Sequence, residues 1–379
     1  PVLRGAASGL LGLAHWTSGN LEDAYRSFAD GLSQLQQAGN LADAIGGAVG
    51  LVDIRVTQGR LREARRICER GLQLAAEHGA PQLRGTADMH VGLSELALEH
   101  GDLRAALEHL SRSQQQGEHT GFPRHPYRWR VARARIHAAR GDLDGAIDLL
   151  EEAERRYVGD FFPPVRPVAA WKTRVWLAQG RLGDALAWAQ ERGLSAHDEP
   201  SYLREFEHLT LARVLLARTA RDPADRSLPE AIGLLQAAEA GGRTGSVIEI
   251  LVLQARALQL QGDLPAALAS LARALALAEP EGYVRVFVDE GPAIAGLLEA
   301  QRATHNAHND PLSSYCDVLL ASFHRSAEVQ TGASEPVLRF ALERSNALAE
   351  PLSEREREVL RLLRSDLGGP EIARELVVS

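Results

Sequence analysis

"GNLEDA" (Gly19–Ala24), "GRLREA" (Gly59–Ala64), "GDLRAA" (Gly101–Ala106), "GDLDGA" (Gly141–Ala146), "GRLGDA" (Gly180–Ala185) and "GDLPAA" (Gly262–Ala267) are six copies of one phrase. A degenerate copy, "RSLPEA", starts at Arg226, and away from it the spacing is about 40 residues. A fixed period of this size marks stacked supersecondary units. An apolar-periodic segment such as "SGLLGLAHWTS" precedes each glycine, which supplies the left-handed residue that ends a helix. The leucine two residues on is expected to plug the gap between helices. The position seven before each glycine holds Gly12, Val52, Ser94, Ala134, Thr173 and Ala255, none bulky. The position five after it holds Ala24, Ala64, Ala106, Ala146, Ala185 and Ala267. Small residues facing one another at a fixed register let two helices cross closely.

The pattern resembles a long variant of the tetratricopeptide repeat. The fold expected is all-α, a tetratricopeptide-like α-solenoid superhelix of helix pairs over residues 1–300. Each pair buries one face on its neighbour, and the first helices line a concave surface. "GYVRVFVDEG" (Gly282–Gly291) alternates like a strand, but a solenoid offers it no partner strand. It reads as the short first helix of a terminal half-repeat.

Composition narrows the class. The chain has 379 residues, 45% hydrophobic and 24% charged, with a formal net charge of −8. That is a globular composition, and its acidity argues against nucleic acid lying along the bulk of the chain. Cys68 and Cys316 do not make a disulfide framework and fit a reducing cytoplasm. No apolar run reaches membrane-spanning length, and "PVLRGAASGL" has no signal-peptide pattern. The opening at Pro1 reads as that of a fragment.

Chemistry is sparse. Lys172 is the chain's only lysine, and no "GxxxxGK[ST]" or "GxSxG" motif is present, so no enzyme is expected. "THNAHND" carries His305, His308 and Asp310 close to Cys316, but reads as an exposed loop and not as a metal site. The tryptophans Trp16, Trp129, Trp171, Trp176 and Trp188 fit either a ligand cage or packing between repeats. Candidate binding residues lie on expected first helices. Trp171 and Arg174, three apart in "WKTRVWLAQG", share a face, and a guanidinium beside an indole suits an anionic or sugar-like ligand. The alternative is a solvated charge beside a core indole. Tyr202, Glu205 and Arg213 lie in "SYLREFEHLTLARVLLA". Glu249 and Gln254 interrupt an apolar run, so they either pair between repeats or point into the groove.

From Leu352 the character changes. Ser353 and Glu356 form a capping box, and Val359, Leu360 and Leu363 form an apolar stripe. "SDLGGP" breaks that helix, and Pro370 opens a second with Ile372, Ala373 and Leu376 on its buried face. "LSEREREVLRLL" and "EIARELVVS" resemble the start of the helix-turn-helix domain of LuxR-type regulators. Asp366 stands where that pattern has a glycine, and Gly368-Gly369-Pro370 replaces its usual helix entry. "AEAGGRTGSVIEILVLQARAL" and "AEPEGYVRVFVDEGPAIAGLL" are similar to the sensor region of large MalT-like members, extending the resemblance from Leu10 to Ser379.

The resemblance implies a sensor over 1–300, a helical or loop linker over 301–350, and a truncated helix-turn-helix start over 351–379. It implies a small-molecule inducer or a protein or peptide in the groove, and ATP bound only by a module upstream. It also implies an oligomer on activation, and DNA contacted only by the intact protein. The recognition helix would follow Ser379, so the tail is expected to be poorly packed and not to bind DNA specifically. A tetratricopeptide scaffold for protein–protein interaction is the alternative reading.

Overall fold

The computed structural model describes residues 2–117, 120–157, 159, 162–222, 232–304 and 311–330. These lie within one compact unit, Pro1–Ala333. The degenerate copy at 226–231, the "THNAHND" histidines and the tail from 331 onward fall outside the described residues.

The described residues form seventeen α-helices and no strand. Successive pairs are α1 (Val2–Thr17) with α2 (Leu21–Gln37), α3 (Leu41–Thr57) with α4 (Leu61–Glu77), and α5 (Thr86–Glu99) with α6 (Leu103–Gln116). They continue as α7 (His125–Ala139) with α8 (Leu143–Arg155), and α9 (Val168–Ala178) with α10 (Leu182–Glu191). Next come α11 (Glu205–Arg221) with α12 (Ile232–Ala240), and α13 (Thr244–Leu260) with α14 (Leu264–Ala278). A short α15 (Arg285–Val288), α16 (Pro292–Thr304) and α17 (Pro311–Gln330) end the array. The chain is an all-α solenoid, and "GYVRVFVDEG" does hold a short helix, α15.

The repeated phrase works as its chemistry dictates. Gly19, Gly59, Gly101, Gly141, Gly180 and Gly262 all adopt φ between 75° and 83°, a region that costs a residue with a Cβ roughly 1–2 kcal/mol. The six phrase alanines are all 0% exposed. Their opposite numbers, from Gly12 to Ala255, are buried too. In the third pair the contact is bonded directly: Ser94 Oγ donates to Ala106 O at 2.8 Å. Where the second residue of the phrase is aspartate, it has a further role. Asp102, Asp142 and Asp263 cap the next helix by accepting from the backbone N–H of Ala105, Gly145 and Ala266. The leucine role is less uniform than expected. Leu21 and Leu61 are buried, but Leu264 is 46% exposed. Enlarging a phrase alanine should be costly everywhere. Ala146→Leu is expected to lose about 1–3 kcal/mol by overpacking, read as a lower urea midpoint at unchanged slope.

Burial distinguishes the two helices of a pair. α4 buries only the stripe Leu61, Ala64, Cys68, Gly71, Leu74 and Ala75, at spacings of three and four. α5 is buried nearly all round, from Thr86 to Leu98, because it is packed between its neighbours and the interior of the array. Helices α16 and α17 continue the packing past residue 300: Leu298, Tyr315, Cys316 and Leu319 join the main core cluster.

The array curves until its late repeats meet its early ones. Val284 N–H donates to Glu99 O at 2.9 Å. Val286 N–H donates to Glu99 Oε1 at 3.0 Å, across 187 residues of chain. Arg62 N–H donates to Glu281 Oε2 at 2.8 Å. At Gly245 a Cβ would stand 2.7 Å from Val56 O and 3.0 Å from Thr57 O, so α13 approaches α3 at a distance only glycine allows. Trp16, 1% exposed, donates from Nε1 to Tyr202 Oη at 2.7 Å. The concave side of the solenoid is thereby closed into a ring with a seam between α5 and α15.

Candidate binding cavity

The ring surrounds a cavity of about 910 Å³ that stays partly open to solvent. That is within the size range of small-molecule and cofactor sites. First helices α3, α5, α7, α9, α11 and α13, with α15, supply most of its walls. Six of the seven residues singled out from the sequence line it: Trp171, Arg174, Tyr202, Glu205, Arg213 and Glu249. The seventh, Gln254, is half-buried and does not line the cavity. It lies five residues beyond Glu249, which at 3.6 residues per turn places it about 140° around α13.

Glu249 resolves both alternatives held open for it, since it pairs between repeats and also faces the cavity. Its Oε1 accepts from Arg213 Nη1 of α11 at 2.6 Å and lies 2.9 Å from Arg174 Nη2 of α9. The latter contact is an ion pair out of line for a hydrogen bond, and Nη2 has no hydrogen-bonded partner. Arg213 also donates through Nε to Glu290 Oε1 at 2.8 Å, and Arg256 Nη1 donates to Glu290 Oε2 at 2.9 Å. A ladder Arg174–Glu249–Arg213–Glu290–Arg256 thus crosses four elements. Burial opposes the charge on Glu249, but Arg174 and Arg213 outweigh it and hold the carboxyl at about 2.

Arg174 is not a solvated charge. It is half-buried against Phe206, with Cζ 3.8 Å from that ring's centroid and 5.2 Å from the Trp171 ring, and Nε donates to Thr210 Oγ1 at 3.0 Å. Desolvation, then the neighbouring Arg213, pulls its pKa down to about 9. Glu205 takes hydrogen bonds from Arg243 Nε at 2.8 Å and from Ser246 Oγ, while burial raises its pKa. Tyr202 Oη accepts from Trp16 and is pushed up to about 12 by burial. The tryptophan cage does not form. Trp16 and Trp129 pack in two different core clusters and Trp176 and Trp188 in a third, and only Trp171 of the five lines the cavity.

The opposite wall, from α3, α5 and α7, is built around a buried cation that sequence reasoning missed. Arg128 Nη2 lies 3.2 Å from Asp53 Oδ1 and 3.3 Å from Glu95 Oε2. Glu99 stands one turn beyond Glu95, with Arg135 Nη2 4.0 Å away. Burial lifts Glu99 to about 7 against the pull of Arg135. The signal that found Glu249, a carboxylate inside an apolar helix, is present in "SELALE" (Ser94–Glu99) and would have found both acids. Glu290 carries no such signal, because it follows a four-residue helix with no period to interrupt.

Among the described residues no group of three His, Cys, Asp or Glu side chains could hold a metal ion. Both cysteines are buried and neither forms a disulfide, and no described helix is long and apolar enough to cross a membrane.

A solenoid of glycine-punctuated helix pairs surrounding a charged cavity defines a tetratricopeptide-like regulatory or scaffold domain. The chain belongs to the MalT-like TPR region family, whose model matches residues 2–304. No curated protein matches it.

Proposed function

We propose that this chain is the ligand-sensing region of a LuxR-family, MalT-like transcription regulator, with the ring cavity as the inducer site. Closure of the ring is the observation that carries this reading. The seam at Glu99 and Val284 draws the concave side in around a partly open cavity of small-molecule size. Its walls combine buried charges with Trp171, Phe206 and Tyr202, a lining suited to orienting a small ligand. Ligand bound across both sides of the seam would favour the closed ring over an open one, and this difference is what a sensor transmits. The output would be the helix-turn-helix begun at 351–379, and ATP would act in a separate upstream module. The sensor itself would perform no catalysis and hold no cofactor.

Thermal unfolding against a panel of sugars, small anionic metabolites and peptides tests this. A small molecule at 100 times its dissociation constant adds about 2.7 kcal/mol if it binds only the folded state. The expected result is a shift of several degrees from one small molecule, diminished by a cavity substitution such as Trp171→Ala. A response to peptides or a protein alone would replace the sensor reading with that of a tetratricopeptide scaffold.

A further inference from the structure

The α9–α13 side of the cavity carries more positive charge than it neutralises. Arg166, Arg174, Arg213 and Arg256 line it, and the ladder supplies only Glu249 and Glu290 against them. Nearby Glu205 is already occupied by Arg243 and Ser246. Arg166 is the uncompensated member. It is exposed on the loop before α9, lines the cavity, and makes no ion pair or hydrogen bond among the described residues. Its nearest ring is Phe206, with the centroid 5.9 Å from Cζ. Its charge acts on Glu249, Arg174, Tyr202 and Tyr283.

A second observation falls in the same place. Tyr283 lines the cavity, is 5% exposed, and its hydroxyl has no hydrogen-bond partner. Arg256 Nε on this wall is also buried without one. Buried donors are rarely left unmatched unless something else meets them. Trp171 and Phe206 line the same cavity, their ring centroids 4.8 Å apart, and supply apolar surface there.

We propose that the cavity takes a small molecule bearing a carboxylate or phosphate group, held by Arg166 together with the Arg174–Arg256 wall, with its apolar body against Trp171 and Phe206. The proposal rests on the cavity being a ligand site. The lowered proton affinity of Arg174 fits it, since a bound anion would stabilise the charge that burial and Arg213 oppose. Charge-assisted bonds to a guanidinium fork are the strong class of hydrogen bond.

Arg166 permits a clean test because it holds nothing else in place. Phenylacetate, phenyl phosphate and the neutral phenylacetamide are titrated into the full chain, read by ligand-observed NMR and thermal unfolding. The first two distinguish carboxylate from phosphate. At least one anion is expected to bind ten times more tightly than the amide. Arg166→Gln is expected to leave the unliganded melting temperature unchanged, to weaken that anion at least tenfold and to spare the amide. Tyr283→Phe is expected to melt no lower than the parent and also to weaken the anion. Equal affinity of anions and amide, or an anion indifferent to both substitutions, overturns the proposal. If a neutral small molecule binds and shifts melting while no anion does, the anion subsite falls and the sensor reading stands. If only peptides bind, both fall.

Discussion

Glu249→Ala is expected to lower stability by about 3 kcal/mol, towards the lower end of the 3–5 kcal/mol seen when one partner of a buried ion pair is removed. The lower end applies because the carboxylate is 17% exposed, so cavity water can partly solvate what remains. Arg213 keeps Glu290, but Arg174 is left with Thr210 and two aromatic faces around a half-buried charge. For a compact unit of over 300 residues the loss corresponds to roughly 4 °C in melting temperature. The change should also depend on pH. The folded carboxyl is held near 2 against an ordinary value of 4.5, so its contribution is fully present above about 4.5 and is lost as pH falls towards 2. Wild type should therefore lose stability more steeply than Glu249→Ala between pH 4.5 and 2. Urea unfolding of both proteins across that range measures the difference. Parallel curves would mean that the ladder contributes little net energy. Glu249→Gln keeps an acceptor without the charge and should fall between the two.

The ladder also marks the limit of what a linear sequence reveals. The repeat register is local: each glycine, leucine and alanine acts within one helix pair, so a 40-residue period suffices to read the pairs and their close crossings. Glu249 is legible for a similar reason, because a carboxylate inside an apolar helix must find a partner or a cavity. Gln254 shares that signal but lies on another side of α13, and an apolar run conceals which side faces inward. Ring closure is a different kind of fact. The Glu99–Val284 seam joins residues of no sequence relation, and their meeting depends on small rotations accumulated over every intervening pair. The identity of the wall residues follows from closure, so Arg166 and Tyr283 become candidates only once the ring is known. The helix-turn-helix start beyond 351 rests on its motif alone, since those residues lie outside the described structure.

Glu99→Gln should act in the opposite direction and stabilise the ring. The Glu99 backbone carbonyl accepts from Val284, its Oε1 accepts from Val286, and a glutamine oxygen can keep the second bond. What glutamine lacks is the cost of a buried negative charge. Burial, with a smaller push from Asp289, raises the carboxyl to about 7, against Arg135, the Val286 N–H and Arg285. The folded form therefore binds a proton that the unfolded chain has released between about pH 4.5 and 7. Stability from this group is fully present below 4.5 and is lost as pH rises through 7. At about 1.4 kcal/mol per pKa unit the ceiling on the loss is about 3.5 kcal/mol, and cavity water brings it to about 3 kcal/mol or less. Asp88, raised to about 6 by burial, titrates over part of the same range, and so do other groups, but all are common to both proteins and cancel in the difference. Glu99→Gln is thus expected to match wild type at pH 4.5 and to exceed it by up to about 3 kcal/mol at pH 8, measured by urea unfolding at intervals between. A difference that stays flat with pH would mean that Glu99 is ionised throughout and that Arg135 compensates it fully. A glutamine variant less stable at every pH would mean that the ion pair, not the backbone contact to α15, holds the seam.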